Sequence, residues 1–263
     1  MVSAVGEAAV SGVSLVDMIS VLLINIFAAL ATGGAVVTSQ FIGAQQRDKA
    51  CLSANQLLII TLSVSVVIML FSITMRAQLL RLLFGSIDVA VMENAMVYFW
   101  ISALSFPFLA LYNSCAALFR AMGNSRVSMF ASVITNAINI GGNAICVYGL
   151  RMGVAGVAVP TLIARAAGAA ILLILLRDPR RMVCIKLKNF ILDFGMIRRI
   201  LFIGIPSGLE NSIFQLGRVM VTSIITVFGT MQIAATAVAH NMGAFGNLPG
   251  QAMSLAMITV IGH

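Results

Sequence analysis

Glu210 stands in an apolar stretch, four residues after Pro206 in GIPSGLENSIFQLGR (204–218). A carboxylate in hydrocarbon is costly, and inside a membrane such a group by default marks an ion or substrate path. Pro206 removes a backbone donor and frees a carbonyl one turn earlier, and Gly204 and Gly208 weaken the same stretch. A loosened helix beside an acid is a common construction for a coupling-ion site. The chemistry expected is reversible binding of an ion or substrate. Gln215 lies near Glu210 and Arg218 and is read as a cavity residue, and Pro160 is a second kink position. The competing reading pairs Glu210 with Arg218, two turns further along.

Asn136, Asn139 and Asn143 are spaced by three and four residues, so they share one helical face. Amides facing lipid would be costly, so this face should point at other helices or at a cavity. There the amides either line a cavity or tie helices together at about 0.6 kcal/mol per contact. Asp17 and His240 fall near the outer ends of their stretches, where charge reaches water cheaply. Gln40, Asn55, Gln56, Asn113, Asn211 and Asn247 read mostly as interhelical hydrogen bonding. Cys51, Cys115, Cys146 and Cys184 are widely separated with no CxxC pair, so they read as small apolar residues and form no metal site. There is no HExxH, no GxSxG and no cluster of His with acids, which argues against an enzyme.

These residues must be positioned by membrane helices. Of 263 residues, 60% are apolar and 9% charged, and the mean hydropathy is +1.06. Roughly 20 apolar residues cross a hydrocarbon core as a helix. Seven such stretches are read, at approximately 13–42, 53–75, 94–118, 127–149, 153–176, 200–228 and 233–262, the first and last open to division between loop and helix. With Arg47 and Lys49 cytoplasmic, 11 loop Lys and Arg residues fall inside and three, Arg76, Arg81 and Arg151, outside. Arg165 and Arg218 lie within spans. The net charge of +8 is therefore topological, and nucleic acid is excluded as a partner. Residues 177–199 form a basic linker whose Ile191, Leu192 and Phe194 suit a membrane surface.

A weak repeat follows the linker. GEAAVSGVSLVD (6–17) aligns with GTMQIAATAVAH (229–240), and the ends QFIG (40–43) and TVIG (259–262) agree after one gap. Such repeats are a transporter signature. The alternative is chance similarity between apolar helices; as a true repeat it would make the chain a piece of a two-lobe protein, with one helix expected before residue 1 and four after residue 263.

Five segments in order then resemble the multidrug and toxic compound extrusion (MATE) family: GGAVVTSQFIGAQQRDKA (33–50), NSCAALFRAMGNSRVSM (113–129), NAINIGGNAICVYG (136–149), GVAGVAVPTLIAR (153–165) and 204–218 continuing to FGTMQIAATAVAHN (228–241). The resemblance implies an all-α membrane protein with two six-helix lobes, this chain holding helices two to eight. Residues 1–176 would be most of the first lobe, 177–199 the cytoplasmic linker and 200–263 the start of the second. It implies export of small organic cations in exchange for sodium or protons, without a cofactor, in a bacterial plasma membrane beside the other helices of the same transporter. It also implies that Glu210 binds the coupling cation or drug, and that Asn143 replaces a common aspartate. Asparagine cannot titrate, so it offers sodium an oxygen but carries no proton. A lipid-linked sugar flippase of related fold, or a truncated and inactive piece, are the alternatives.

Overall fold

The computed structural model describes residues 6–84, 88–179, 181–185, 192–226 and 230–262, with only part of the side chains beyond residue 214 and none at 82–84. Apolar length makes helices, because hydrocarbon offers the backbone no hydrogen-bond partner. The elements are α1 (Glu7–Gly43), α2 (Arg47–Thr74), α3 (Arg76–Phe84), α4 (Val89–Leu104), α5 (Phe106–Ala121), α6 (Ser125–Ala144) followed by a π-helical turn (Ile145–Gly149), α7 (Ala155–Leu176), α8 (Phe194–Thr226) and α9 (Thr230–Gly262). No strand occurs among the described residues. Among them, α1, α2, α6 with its π-turn, and α7 are each long and apolar enough to cross a membrane, and α4 with α5 makes a bent fifth span. The helices α8 and α9 cover the two last expected stretches.

Three expectations are corrected. First, the division left open for the first and last stretches does not occur: α1 and α9 are each one continuous helix. Second, the expected span 94–118 is broken at Ser105, with a 46° bend between α4 and α5. Pro107 causes it: proline lacks the N–H that would bond the carbonyl four residues back, and its ring crowds that turn. At the break the Ser105 hydroxyl donates to the Ser102 carbonyl at 2.6 Å. Third, the expected loop after residue 75 carries the short helix α3.

The helix α1 runs through the middle, packing on α2, α4, α5, α8 and α9. Its small residues let other backbones approach. A Cβ on Gly33 would stand 2.5 Å from the Ile200 carbonyl oxygen and 2.8 Å from the Gly204 nitrogen, so α8 crosses α1 there with backbone on backbone. One apolar core gathers Val16, Phe27, Phe99 and Phe106 towards the start of α1. A second gathers Leu57, Phe119, Leu172 and Ile200 at its basic end. Outer positions are the reverse of a soluble protein: Phe202 is 80% exposed and Ile174 67%, as lipid-facing side chains should be.

The first part of the linker is not free. The Arg47 guanidinium donates to the carbonyls of Pro179 and Arg181. The Arg181 guanidinium lies 5.0 Å over the Phe119 ring, and Val183 is fully buried. The thiols of Cys51 and Cys184, 133 residues apart in sequence, meet at 3.6 Å without forming a disulfide. Arg180, Lys186, Lys188 and Ile191 lie outside the described residues, as does Gly229 of the repeat. The matched repeat ends do meet, since a Cβ on Gly262 would collide with Ser39, one turn before Gly43.

Gly33→Val should lower stability by about 1–3 kcal/mol, because the added side chain meets backbone that cannot step aside. Gly141→Ala, which meets nothing within 4 Å, should be neutral or raise stability by up to about 1 kcal/mol. Thermal unfolding in detergent, followed by size exclusion, separates the two. Equal behaviour would mean the α1–α8 crossing is not a packing determinant.

Candidate ion and substrate site

Asn143 and Asn139 lie one turn apart on α6, facing α7. The Asn143 Nδ2 donates to the Asn139 Oδ1 at 3.1 Å, and the Asn139 Nδ2 donates to the Thr161 Oγ1 at 2.9 Å. The Thr161 hydroxyl in turn donates a hydrogen bond to the Val157 carbonyl at 2.9 Å. The chain of donors has one loose end, since the Asn143 Oδ1 is buried with no hydrogen-bond partner among the described residues. An amide oxygen left bare in a low dielectric costs about 1–3 kcal/mol, and it is the atom type that ligates sodium or accepts from a drug. The π-turn begins two residues later, and such turns concentrate at functional sites.

Close packing sets this geometry. Gly142 abuts Pro160, where a Cβ would stand 2.7 Å from the proline Cβ. Pro160 sits buried inside α7 and leaves the Gly156 carbonyl without its helical donor. Asn136, on the same helix, is exposed and is not brought into the cluster. Thr161 was missed in the sequence, where a lone hydroxyl in an apolar run carries no signal of its own.

A second polar cluster lies on α7, α4 and α1. Arg165, one turn after Thr161 on the same face of α7, donates from Nη1 to the Ser105 Oγ at 2.6 Å. The Tyr98 hydroxyl, on a residue only 7% exposed, donates to the Asp17 Oδ1 at 3.2 Å. Asp17 is exposed, as an interfacial group would be, and has Tyr98 as a partner within the bundle. Tyr98 and Ser105 also carried no sequence signal, although an arginine inside a span and Pro107 in the middle of another were visible.

Glu210 sits on α8, one turn after Pro206, and is exposed, with no ion-pair partner among the described residues. Gly204 and Gly208 turn towards Ala29 of α1, where Cβ atoms on them would stand 3.1 Å from the Ala29 backbone and side chain. At about 100° per residue, Glu210 is therefore on the side of α8 turned away from α1. The structure does not bring it to the amide cluster. The side chains of Gln215, Arg218 and His240 lie outside the described residues. No group of three or more His, Cys, Asp or Glu residues suited to a metal occurs among the described residues.

A family model described as MatE matches residues 1–145, more than half of the chain. The chain belongs to the MatE family. The members of that family are transporters, which agrees with the expectation of no enzyme. The uncharacterized transporter YisQ of Bacillus subtilis is 30% identical over all of this chain and 58% of its own. The probable multidrug resistance protein NorM of Thermotoga maritima is 25% identical over 97% of this chain and 55% of its own. The chain therefore spans a little over half the length of these relatives. A crystal structure of MATE in the bent conformation superposes with a TM-score of 0.92 at 24% identity, covering 99% of this chain and 58% of that one. A crystal structure of MATE in the straight conformation superposes with a TM-score of 0.91 at 24% identity, covering 98% and 58%. The MatE helices thus form a multi-pass integral membrane bundle, as the all-α reading expected.

Thr161→Val removes the acceptor for Asn139. It should cost about 0.6 kcal/mol, and no more than about 1.7, in thermal unfolding. Thr161→Ser, which keeps the hydroxyl, should restore most of it. Identical unfolding of both variants and wild type would remove the hydrogen-bond chain from the structural account.

Proposed function

We propose that the chain supplies most of the first lobe and the start of the second in a MATE-type exporter. The exporter would exchange sodium or protons for small organic cations across a bacterial plasma membrane, by alternating access of a cavity between lobes. Residues 1–176 belong to the first lobe, 177–199 to the linker and 200–263 to the second lobe, and further helices of the same transporter complete it. The single observation carrying this reading is the unpartnered Asn143 oxygen at the end of the Asn143–Asn139–Thr161 chain, inside a bundle of the MATE fold. A buried acceptor of this kind is what a sodium ion or a cationic drug's N–H requires. Glu210, with Pro206 freeing backbone beside it, is the second-lobe candidate for the coupling ion or the drug, and Gln215 and Asn136 are accessory positions. Contacts at the basic end support an alternating mechanism. There the Thr259 hydroxyl of α9 donates to the Arg120 carbonyl at 2.8 Å, and Ile258 packs on Ala31, Ala35, Ala117 and Ala121. The flippase alternative draws less support, because Arg165 is already turned to Ser105 and is not left for a phosphate.

The complete transporter in inverted vesicles tests this. Uptake of a fluorescent organic cation should follow a sodium or pH jump, and the effective gradient names the ion. Glu210→Gln should lower driven uptake at least tenfold. Uptake unchanged in this variant moves the site elsewhere. Asn143→Asp adds a titratable group, so uptake should gain a steeper pH dependence between about pH 4 and 7. An unaltered pH profile, with uptake also unaffected by Asn143→Ala, would take Asn143 out of the ion path.

A further inference from the structure

A cleft of about 270 Å³ opens between α2, α5 and α7 at the basic end, away from the amide cluster and from α8. Its walls are Leu58, Ile59 and Leu62 of α2, Leu111 of α5, and Leu173 and Ile174 of α7, with Ile185 of the folded-back linker closing one side. Two polar groups interrupt this apolar lining, Arg177 and Asn55. Leu62 is 40% exposed and Ile174 67%, so the cleft opens sideways, towards where the bilayer lies. Its mostly apolar lining gives water few hydrogen-bond partners.

The two polar groups select the occupant. Arg177 is the residue that ends α7, exposed at the end of the bundle that the excess of basic residues assigns to the cytoplasm. Among the described residues no acid lines the cleft, so the guanidinium there calls for an anion. The same charge repels the organic cations considered above. The Asn55 Oδ1 is buried with no hydrogen-bond partner among the described residues, so the occupant must also bring a donor. An apolar chain, a phosphate and a hydroxyl on one molecule describe a lipid. We infer that this cleft is a binding site for an anionic phospholipid of the cytoplasmic leaflet whose head group carries a free hydroxyl. Its acyl chain lies along Leu58, Ile59, Leu62 and Ile174, its phosphate meets Arg177, and its hydroxyl donates to Asn55.

Native mass spectrometry of the chain released from mixed micelles tests this, with phosphatidylglycerol, phosphatidic acid and phosphatidylcholine offered at equal concentration. Wild type should retain one phosphatidylglycerol about tenfold over phosphatidylcholine, and in preference to phosphatidic acid, which lacks the head-group hydroxyl. Arg177→Gln should bring the anionic lipids level with phosphatidylcholine. Asn55→Leu should erase only the preference over phosphatidic acid. Ile59→Trp, which fills the cleft and leaves the charge in place, should abolish the retained lipid, whereas Arg76→Gln at the opposite end should change nothing. Circular dichroism confirms that each variant is folded. Equal retention of phosphatidylglycerol and phosphatidylcholine by wild type overturns the site. So does a preference that survives both Arg177→Gln and Ile59→Trp, since the lipid would then be held by scattered surface charge. A helix from the rest of the transporter seated in the cleft would overturn it too, and would show as lipid retained by this chain and lost by the complete protein.

Discussion

Close backbone approach to α1 is the constraint from which the rest of the bundle follows. Lipid is as apolar as leucine, so no hydrophobic force draws one spanning helix onto another, and contact area has to come from shape. The helix α1 supplies that shape at several heights. Gly12 receives the backbone of α4, where a Cβ would stand 2.9 Å from the Ala95 nitrogen, and Gly33 receives α8. Gly34 is filled by the end of Leu57 from α2. Each small residue fixes the rotation of one neighbour about its own axis. That rotation then decides which polar groups point inwards.

The helix α7 shows what such fixing achieves. Thr161 and Arg165 lie one turn apart, so a single helix face carries two polar links. Thr161 terminates the amide chain from α6, and Arg165 reaches the break between α4 and α5. Ser105 receives it at the break beside Pro107, while its own hydroxyl donates to the Ser102 carbonyl. Any rotation of α7 must therefore be felt both at the amides and at the bend. An intramembrane guanidinium with a good hydrogen-bond partner is tolerable, whereas the same group facing lipid is expensive. This gives the bundle a discrete arrangement and not a continuum of helix rotations. The bare Asn143 oxygen stands out because its neighbours in the chain are all satisfied.

Composition made the helices legible and left their partners hidden. A run of some 20 apolar residues has one structural solution in a membrane, so the spans and the all-α class followed directly from hydropathy. Helices that are apolar nearly all round have no clear inward face, so hydropathy does not fix their rotation. Hence Asn139 and Asn143 were placed together correctly, being one turn apart, while Thr161, 22 residues from Asn139, could not be named as their partner. The same limit hid Tyr98 beside Asp17, and Cys184 beside Cys51 across 133 residues. Pro107 was in plain view, but spanning helices often carry prolines without breaking, so residue type alone did not decide between a kink and two helices.

The early turns of α8 follow the linker in sequence, yet they pack on α1, at the other end of the chain. Its early turns are held on α1 through Ile200, Gly204 and Gly208, and its approach is fastened by Arg47, which binds the linker carbonyls of Pro179 and Arg181. Contacts of this kind are stiff, since backbone pressed on backbone has no side chain to yield. Pro206 lies between Gly204 and Gly208, and Glu210 comes just after the last of these contacts, on the side turned away from α1. If the two lobes move against each other, α8 has to flex where its grip on α1 ends and where Pro206 has already removed a helical hydrogen bond. Glu210 is at that point. A carboxylate so placed feels lobe movement more directly than one buried in the middle of either lobe. The Asn143 cluster, enclosed by α6 and α7, feels it only through changes in their packing. The two candidate positions thus differ in kind: one stands on a helix weakened by Pro206 beyond its grip on α1, and the other is tied between two helices by hydrogen bonds.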